Sequence, residues 1–346
     1  MINLSLNSKS ALLVKDRLLR RYLTGVDVAE GFLLVCDKTV FFTDARYFYQ
    51  AQKKLLDVGV ESLLYNGLED IKKYIKEYKL KKLYIDFDRT TLSEFAEYKK
   101  LGIRIRNGNE LLVKARSIKT QSEIDCIKKA CQITEKAFYS VLSEIKAGIT
   151  ERQLKDMIES RMIELGADGP SFDTIVAFGE NGAVPHHETG DTVLTDDTAV
   201  LIDTGCTVKG YCSDFTRTFF YGTPSRSFLD AYDAVLMANI SAVSQIKVGM
   251  SAKEADAIAR NLLDERGYGD KFTHSLGHGV GLEIHEFPTL SKKRSDLLKD
   301  GMVFTVEPGV YVDGEMGIRI EDTVALLNGK IERFYSDDKN LIILKK

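Results

Sequence analysis

One passage of this chain occurs twice. Residues 143–149 read S-E-I-K-A-G-I, and residues 244–250 read S-Q-I-K-V-G-M. Thr150-Glu151-Arg152-Gln153 and Ser251-Ala252-Lys253-Glu254 follow. Each is a capping box, in which a hydroxyl satisfies an orphan amide at a helix start and the Gln or Glu reaches back. Gly166 and Gly267 close those helices, and all the landmarks keep one offset of 101 residues. Unrelated helix ends resemble one another, but not at a constant offset. The chain therefore carries an internal duplication, each half supplying two helices followed by strands. A duplicated domain closes its halves face to face, which places a site on the seam.

The helix pattern of the first half is strong. Ile124, Ile127, Cys131, Thr134, Phe138, Val141 and Ile145 recur at three- and four-residue steps, marking one buried face of a helix predicted to stop near Gly148. After the first helix pair, Ala199-Val200-Leu201-Ile202 leads into Asp203-Thr204-Gly205, and Gly210-Tyr211-Cys212-Ser213 leads into Asp214. One carboxylate is predicted to end an apolar strand and another to sit within the next, side by side if the strands pair antiparallel. After the second helix pair, Val303-Phe304-Thr305-Val306 leads to Glu307, and Gly317-Ile318-Arg319-Ile320 leads to Glu321. Acids are disfavoured inside strands and rarely buried unpaired, so four of them need a reason. Buried carboxylates close together do not all ionise without a strong counter-charge. Asp203, Asp214, Glu307 and Glu321 carry −4, two divalent cations carry +4, and His278 adds a neutral nitrogen. An oxygen-rich set of this kind suits Mn²⁺ better than a structural zinc.

Of five histidines (His186, His187, His274, His278, His285), three fall in H-S-L-G-H-G-V-G-L-E-I-H, residues 274–285. Gly277, Gly279 and Gly281 surround His278, and lacking a Cβ they are expected to let the backbone approach whatever His278 touches. The length of 346 residues gives room for two domains. A net charge of −3 gives no electrostatic reason for a nucleic-acid or anionic-membrane partner. The start lacks a signal-peptide pattern, and no apolar run approaches the ~20 residues of a membrane span. Five cysteines without a C-x-x-C pair read as free thiols of a cytoplasmic protein. The first third predicts a hairpin at 32–36 and 39–43, helices near 46–56, 68–78 and 91–100, and strands near 60–65 and 82–87. That mixed α/β domain ends near residue 115 and holds no histidine, no proline and no group of residues suited to chemistry.

Ile202-Asp203-Thr204-Gly205, S-D-F-T-R-T from Ser213, G-H-G-V-G-L-E-I-H-E from Gly277, V-E-P-G-V-Y from Val306 and I-R-I-E-D-T from Ile318 occur in the order seen in the pita-bread metallopeptidases. The chain resembles the branch containing aminopeptidase P and proline dipeptidase. The first third resembles that branch's creatinase-like domain through Tyr22-Leu23-Thr24-Gly25 and Thr43-Asp44-Ala45-Arg46-Tyr47. The resemblance implies an α/β (α+β) protein, with a creatinase-like domain over residues 1–116 and a pita-bread domain with pseudo-twofold duplication over 117–346. It also implies two divalent metal ions per chain, Mn²⁺ foremost with Co²⁺ or Zn²⁺ as alternatives. Asp203 would chelate one, His278 and Glu307 the other, and Asp214 and Glu321 would bridge them.

By the same resemblance a water or hydroxide bridging the metals is the nucleophile, Glu307 accepts its proton, His186 donates a hydrogen bond in the transition state, and His285 shuttles a proton. His274, Tyr311 and Arg319 match positions near the substrate or behind the metal ligands, and Ile284 offers apolar surface to a proline ring. His187 matches no role. The implied substrates are peptides with proline second and the implied assembly is a homodimer, without nucleic acid or membrane. Proline dipeptidase is the alternative, separated from aminopeptidase P by whether Lys292, Lys293 or Arg294 catches a dipeptide's free carboxylate. Methionine aminopeptidase lacks such an N-terminal domain, and creatinase and non-catalytic relatives do not keep the ligands. Leu276 stands where the family often has threonine.

Overall fold

Short β-branched and aromatic runs alternating with amphipathic segments build the first unit. The structure, a computed structural model, describes Leu4 and residues 6–345, and separates into two compact units, Met1–Arg116 and Ser117–Lys346. In the first, β1 (Ser10–Val14), α1 (Arg17–Thr24), β2 (Phe32–Val35), β3 (Val40–Thr43), α2 (Ala45–Leu55), β4 (Glu61–Leu64), α3 (Leu68–Glu77), β5 (Lys82–Ile85), α4 (Leu92–Lys99), β6 (Arg104–Asn107) and α5 (Asn109–Ser117) follow in order. The sheet order is β4-β3-β2-β1-β5-β6. The predicted hairpin is present, with Phe32 opposite Phe42. Leu13, Leu34, Phe42 and Ile85 pack against Ile71 and Tyr74 of α3. The strands β1 and β6 were not predicted. β1 reads S-A-L-L-V and is buried at every position, so it shows no alternation, and β6 reads R-I-R-N and becomes a strand only by pairing with β5.

The second unit shows the duplication directly. Its first half holds α6 (Gln121–Val141), α7 (Glu151–Glu164), β7 (Gly169–Pro170), β8 (Ile175–Phe178), β9 (Thr198–Thr204), β10 (Cys206–Val208), β11 (Tyr211–Cys212) and β12 (Phe215–Tyr221). The second half holds α8 (Arg226–Gln245), α9 (Ala252–Glu265), β13 (Gly277–Gly279), β14 (Glu286–Leu290), β15 (Val303–Val306), β16 (Gly309–Val312), β17 (Met316–Arg319), β18 (Asp322–Leu327) and β19 (Lys330–Arg333). A last strand, β20 (Ile343–Leu344), returns to β12. The capping boxes at Thr150 and Ser251 are both formed.

The repeat extends into the loops that pass each helix start. Gly148 N–H donates to Leu194 O at 3.0 Å and Leu194 N–H to Ile149 O at 2.8 Å; Gly249 N–H donates to Leu298 O at 2.9 Å and Leu298 N–H to Met250 O at 2.8 Å. One expectation is corrected. The helix expected to run near Gly148 ends at Val141, followed by a 3₁₀ turn over Leu142–Glu144. Extended backbone at Ile145, not another α-turn, carries its side chain into the core.

The helices of each half cover a sheet: β20-β12-β9-β8 in the first and β14-β13-β15-β18-β19 in the second. The halves are stitched where β12 runs beside β17 and β18. Glu321 N–H donates to Thr216 O at 3.0 Å, and Arg319 N–H to Thr218 Oγ1 at 3.1 Å. Beneath this seam Asp322 accepts from Arg217 at 2.8 Å and Lys339 at 2.9 Å. Burial alone would raise the Asp322 carboxyl, but the charges of Arg217, Lys339 and Arg333 outweigh it and hold it at about 2. Asp322→Ala leaves the buried Lys339 without an acidic partner and Arg217 and Arg333 with Asp337 alone, and is expected to cost on the order of 3–5 kcal/mol by chemical denaturation. The depressed carboxyl stabilises the fold above its ordinary value of 3.8, and that contribution disappears as pH falls towards about 2. The wild-type advantage should therefore shrink over the same interval. A difference under ~1 kcal/mol at pH 7 would contradict this account. No helix among the described residues is long and apolar enough to cross a membrane.

Candidate metal centre

The acids stand where paired strands begin and end. Asp203 lies on β9, opposite Thr216 of β12. Asp214, predicted within a strand, instead sits in the turn one residue before β12. There its N–H donates to Thr323 Oγ1 at 3.3 Å, and its carbonyl accepts from the Thr323 hydroxyl at 2.8 Å. Contacts across the seam hold its backbone, where a sheet neighbour was expected. Glu307 follows β15 and Glu321 precedes β18, flanking the last pair of that ladder, Val306 opposite Asp322.

His278 lies on β13, between two glycines whose role differs from expectation. A Cβ on Gly277 would lie 1.9 Å from Thr305 O, and one on Gly279 would lie 2.3 Å from Phe287 O. They admit the backbone of neighbouring segments, at a register shift between His278 and Gly279. The His278 Nδ1–H donates to Gly279 O at 3.2 Å, which leaves Nε2 as a lone-pair donor. That Nε2 is 3.5 Å from Asp214 Oδ2 and 3.3 Å from Glu307 Oε1. Asp214, His278 and Glu321 each present a ligand atom within 4.8 Å of the others. Thr216 Oγ1 donates to Glu321 Oε2 at 2.6 Å, and Thr305 Oγ1 to Glu307 Oε1 at 3.1 Å.

Asp203 makes a different contact. Arg319, buried, donates from Nη2 to Asp203 Oδ2 at 2.6 Å and from Nη1 to the Tyr311 hydroxyl at 2.7 Å. The Tyr311 O–H then donates to His274 Nε2 at 2.9 Å, and His274 Nδ1–H to Ser275 O at 2.8 Å. In this chain His274 is neutral, and burial together with Arg319 lowers its pKa to about 4. The zero sum of four acids and two dications leaves out Arg319, which supplies a further positive charge.

Electrostatics and an orphaned atom test whether metal fits. Burial, then the neighbouring acids, raise Asp214 and Glu321 well above the ordinary carboxylate range. Burial raises Glu307 to about 8 despite Arg319. Asp203 Oδ1 is buried without a hydrogen-bond partner. Burial, then His285, lowers His278 to about 4, leaving a neutral imidazole. Acids that strain against ionising, an unpartnered carboxylate oxygen and a neutral nitrogen are what a divalent cation would relieve. The residues fit one.

The other anticipated residues are placed as follows. The His285 ring packs on that of His278 with centroids 4.3 Å apart. His186 lies in the exposed loop after a 3₁₀ turn over Gly179–Ala183, close enough to lower the pKa of both His274 and His285. Ile284, half-buried, adjoins His285 in the same turn. Leu276 is buried, and its carbonyl accepts the Glu307 N–H at 2.8 Å. Arg294 pairs with Asp296 at 3.1 Å, and Lys292 and Lys293 are exposed. Sequence reading missed Thr216, Thr305 and Asp256, whose Oδ1 accepts Leu276 N–H at 3.1 Å. Thr305, two residues before Glu307, and Thr216, two residues after Asp214, each left the signal of a shared strand face; Asp256, on a helix, left none.

The sequence pattern of metallopeptidase family M24 matches residues 125–327, and that of the creatinase/prolidase N-terminal domain matches residues 5–118. The chain is 36% identical to an Xaa-Pro dipeptidase of Pyrococcus horikoshii, over 97% of its own length and 95% of that protein's. Among solved structures it is similar to an Xaa-Pro dipeptidase from Bacillus anthracis, with TM-score 0.92, 38% identity and coverage of 96% and 95% of the two chains. It is also similar to an X-Pro aminopeptidase from Thermotoga maritima, with TM-score 0.88, 33% identity and 97% of each chain covered. A set of four acids and one imidazole on the seam of a duplicated domain, within a chain matched along nearly its whole length, makes this protein a member of metallopeptidase family M24 with a creatinase/prolidase-type N-terminal domain.

Proposed function

We propose that the chain is a metal-dependent exopeptidase that hydrolyses the bond between an N-terminal residue and proline. The observation that carries this reading is the cluster of Asp214, His278 and Glu321, ligand atoms within 4.8 Å, with Glu307 3.3 Å from His278 and Asp203 offering an unpartnered oxygen. The donor set supports two divalent ions, Mn²⁺ foremost and Co²⁺ or Zn²⁺ as alternatives. Bound there, they would supply Lewis-acid polarisation of a carbonyl and bring the pKa of a water towards neutrality.

The protein's own residues have separable tasks. Glu307, which a bound divalent cation would hold ionised against its burial, accepts a proton from the attacking water. His186 and His285, exposed beside the buried acids, donate hydrogen bonds and carry protons to solvent. Arg319 and Tyr311 hold Asp203 and His274 in one hydrogen-bonded chain, so the rim and the acids keep a common geometry. Ile284 offers apolar surface to the proline ring. A cytoplasmic homodimer belongs to the same proposal.

Two forms of this activity differ only in substrate length. Cleavage of Xaa-Pro dipeptides is favoured by the names of near-full-length relatives, such as the Pyrococcus horikoshii protein at 97% coverage. Release of the first residue from longer peptides is favoured by the Thermotoga maritima structure, 97% covered in both chains. A panel of Xaa-Pro, Xaa-Pro-Yaa and Met-Ala-Yaa peptides separates them by kcat/KM. We expect the two proline series to exceed Met-Ala-Yaa by at least about tenfold, the order of discrimination one apolar pocket supplies. Preference for Met-Ala-Yaa would overturn the proline reading.

A further inference from the structure

The loop that carries His186 is gripped on either side of it by one buried carboxylate. We propose that Glu151, paired with His187, is the positioning residue that fixes the His186 loop for the hydrolytic step; this rests on the role given to His186 above. Glu151 opens α7 and is fully buried, yet its carboxylate is saturated by four donors from the following chain. Oε1 accepts Phe178 N–H at 2.9 Å and Asn181 Nδ2 at 2.8 Å. Oε2 accepts Gly190 N–H at 3.0 Å and contacts His187 Nε2 at 2.9 Å. One side chain thus grips residues 178, 181, 187 and 190, and Val184-Pro185-His186 lies inside that grip.

The other face of the loop docks on the second half. A Cβ on Gly317 would lie 1.6 Å from Gly182 O, so the two backbones touch. Arg319 Nη1, already bonded to Tyr311, lies 3.4 Å from Pro185 O. The loop is therefore held between a carboxylate from the first half and the strand that carries Arg319.

The duplication supplies an internal control. The position equivalent to Glu151 is Ala252, which also opens a capped helix beside a passing loop. That helix start folds without an acid; residues 291–298 beside it carry no histidine, and His285 stands earlier in the same connection between β13 and β15. The carboxylate is present only in the half whose loop bears His186. His187, adjacent to His186 and turned to Glu151, thereby acquires a task that no motif assigns it.

Glu151→Gln is a sharp test, because glutamine cannot replace the carboxylate here. Each oxygen accepts a backbone N–H, from Phe178 on one side and Gly190 on the other. The glutamine NH₂ must face one of those donors, whichever way it is flipped. Turnover of an Xaa-Pro peptide is measured at saturating Mn²⁺ for Glu151→Gln, His186→Ala and the double variant. We expect Glu151→Gln to lower kcat about 10–100-fold, the scale of a roughly 1 Å misplacement, with KM changed less than about threefold. In the double variant Glu151→Gln should add less than about threefold to the His186→Ala loss, because its effect passes through that ring. Multiplying losses, or a Glu151→Gln kcat within threefold of wild type, would overturn the proposal. Wild-type kcat in His186→Ala alone would instead remove His186 from the proposed function, and this inference with it. Should Glu151→Gln fail to fold, Asn181→Ala removes one donor and keeps the carboxylate. It should show a smaller loss with the same non-additivity, and additivity there overturns the proposal equally.

Discussion

Glu307→Gln is expected to lower kcat for an Xaa-Pro peptide by on the order of 10²–10⁴-fold, the range of a lost general base. Glutamine keeps the shape of the side chain and the Thr305 hydrogen bond, but it takes up no proton. Because burial already favours the uncharged form of Glu307, the substitution should not weaken the metal-free fold. Loss of turnover with an unchanged or raised melting temperature is therefore the expected pair of results. A kcat within about tenfold of wild type would mean that another group takes the proton.

Removing metal should be still more severe. Chelation is expected to abolish hydrolysis, and Mn²⁺ to restore it. The metal-free protein should also show an unusual response to pH. Burial holds Glu307 at about 8, and burial with the neighbouring acids raises Asp214 and Glu321. For a carboxyl with a raised folded-state pKa, stability is full below its ordinary value, 4.5 for Glu307, and is lost as pH rises through about 8. The metal-free melting temperature should fall between pH 5 and 8, whereas saturating Mn²⁺ should flatten that slope. Binding at about 100 times Kd adds roughly 2.7 kcal/mol. Full activity after exhaustive chelation, or a melting temperature indifferent to both pH and Mn²⁺, would refute a metal centre at these acids.

The residues that meet at the site were legible because they are chemically out of place. Asp203, Glu307 and Glu321 end or interrupt apolar runs, where an acid is costly without a counter-charge. The duplication was legible from spacing alone, since its capping boxes and closing glycines are local features. Hydrogen bonds between the two passing loops and the helix starts then repeat the same pattern in space.

What remained hidden lies in contacts across long chain separations. Arg319 and Asp203 meet across 116 residues, and Thr216 and Glu321 across 105. Glu151 reads as an ordinary first-turn acid until the chain returns 27 to 39 residues later to surround it. No period or motif encodes such meetings. The chain's own pattern determined two halves, four acids and a neutral histidine, because helix caps, strand alternation and the cost of buried charge act over a few residues. Closure of the halves decided the rest: which acid Arg319 holds, what the glycines beside His278 admit, and what grips the His186 loop. Those depend on which surfaces become neighbours once apolar faces from both halves are buried together.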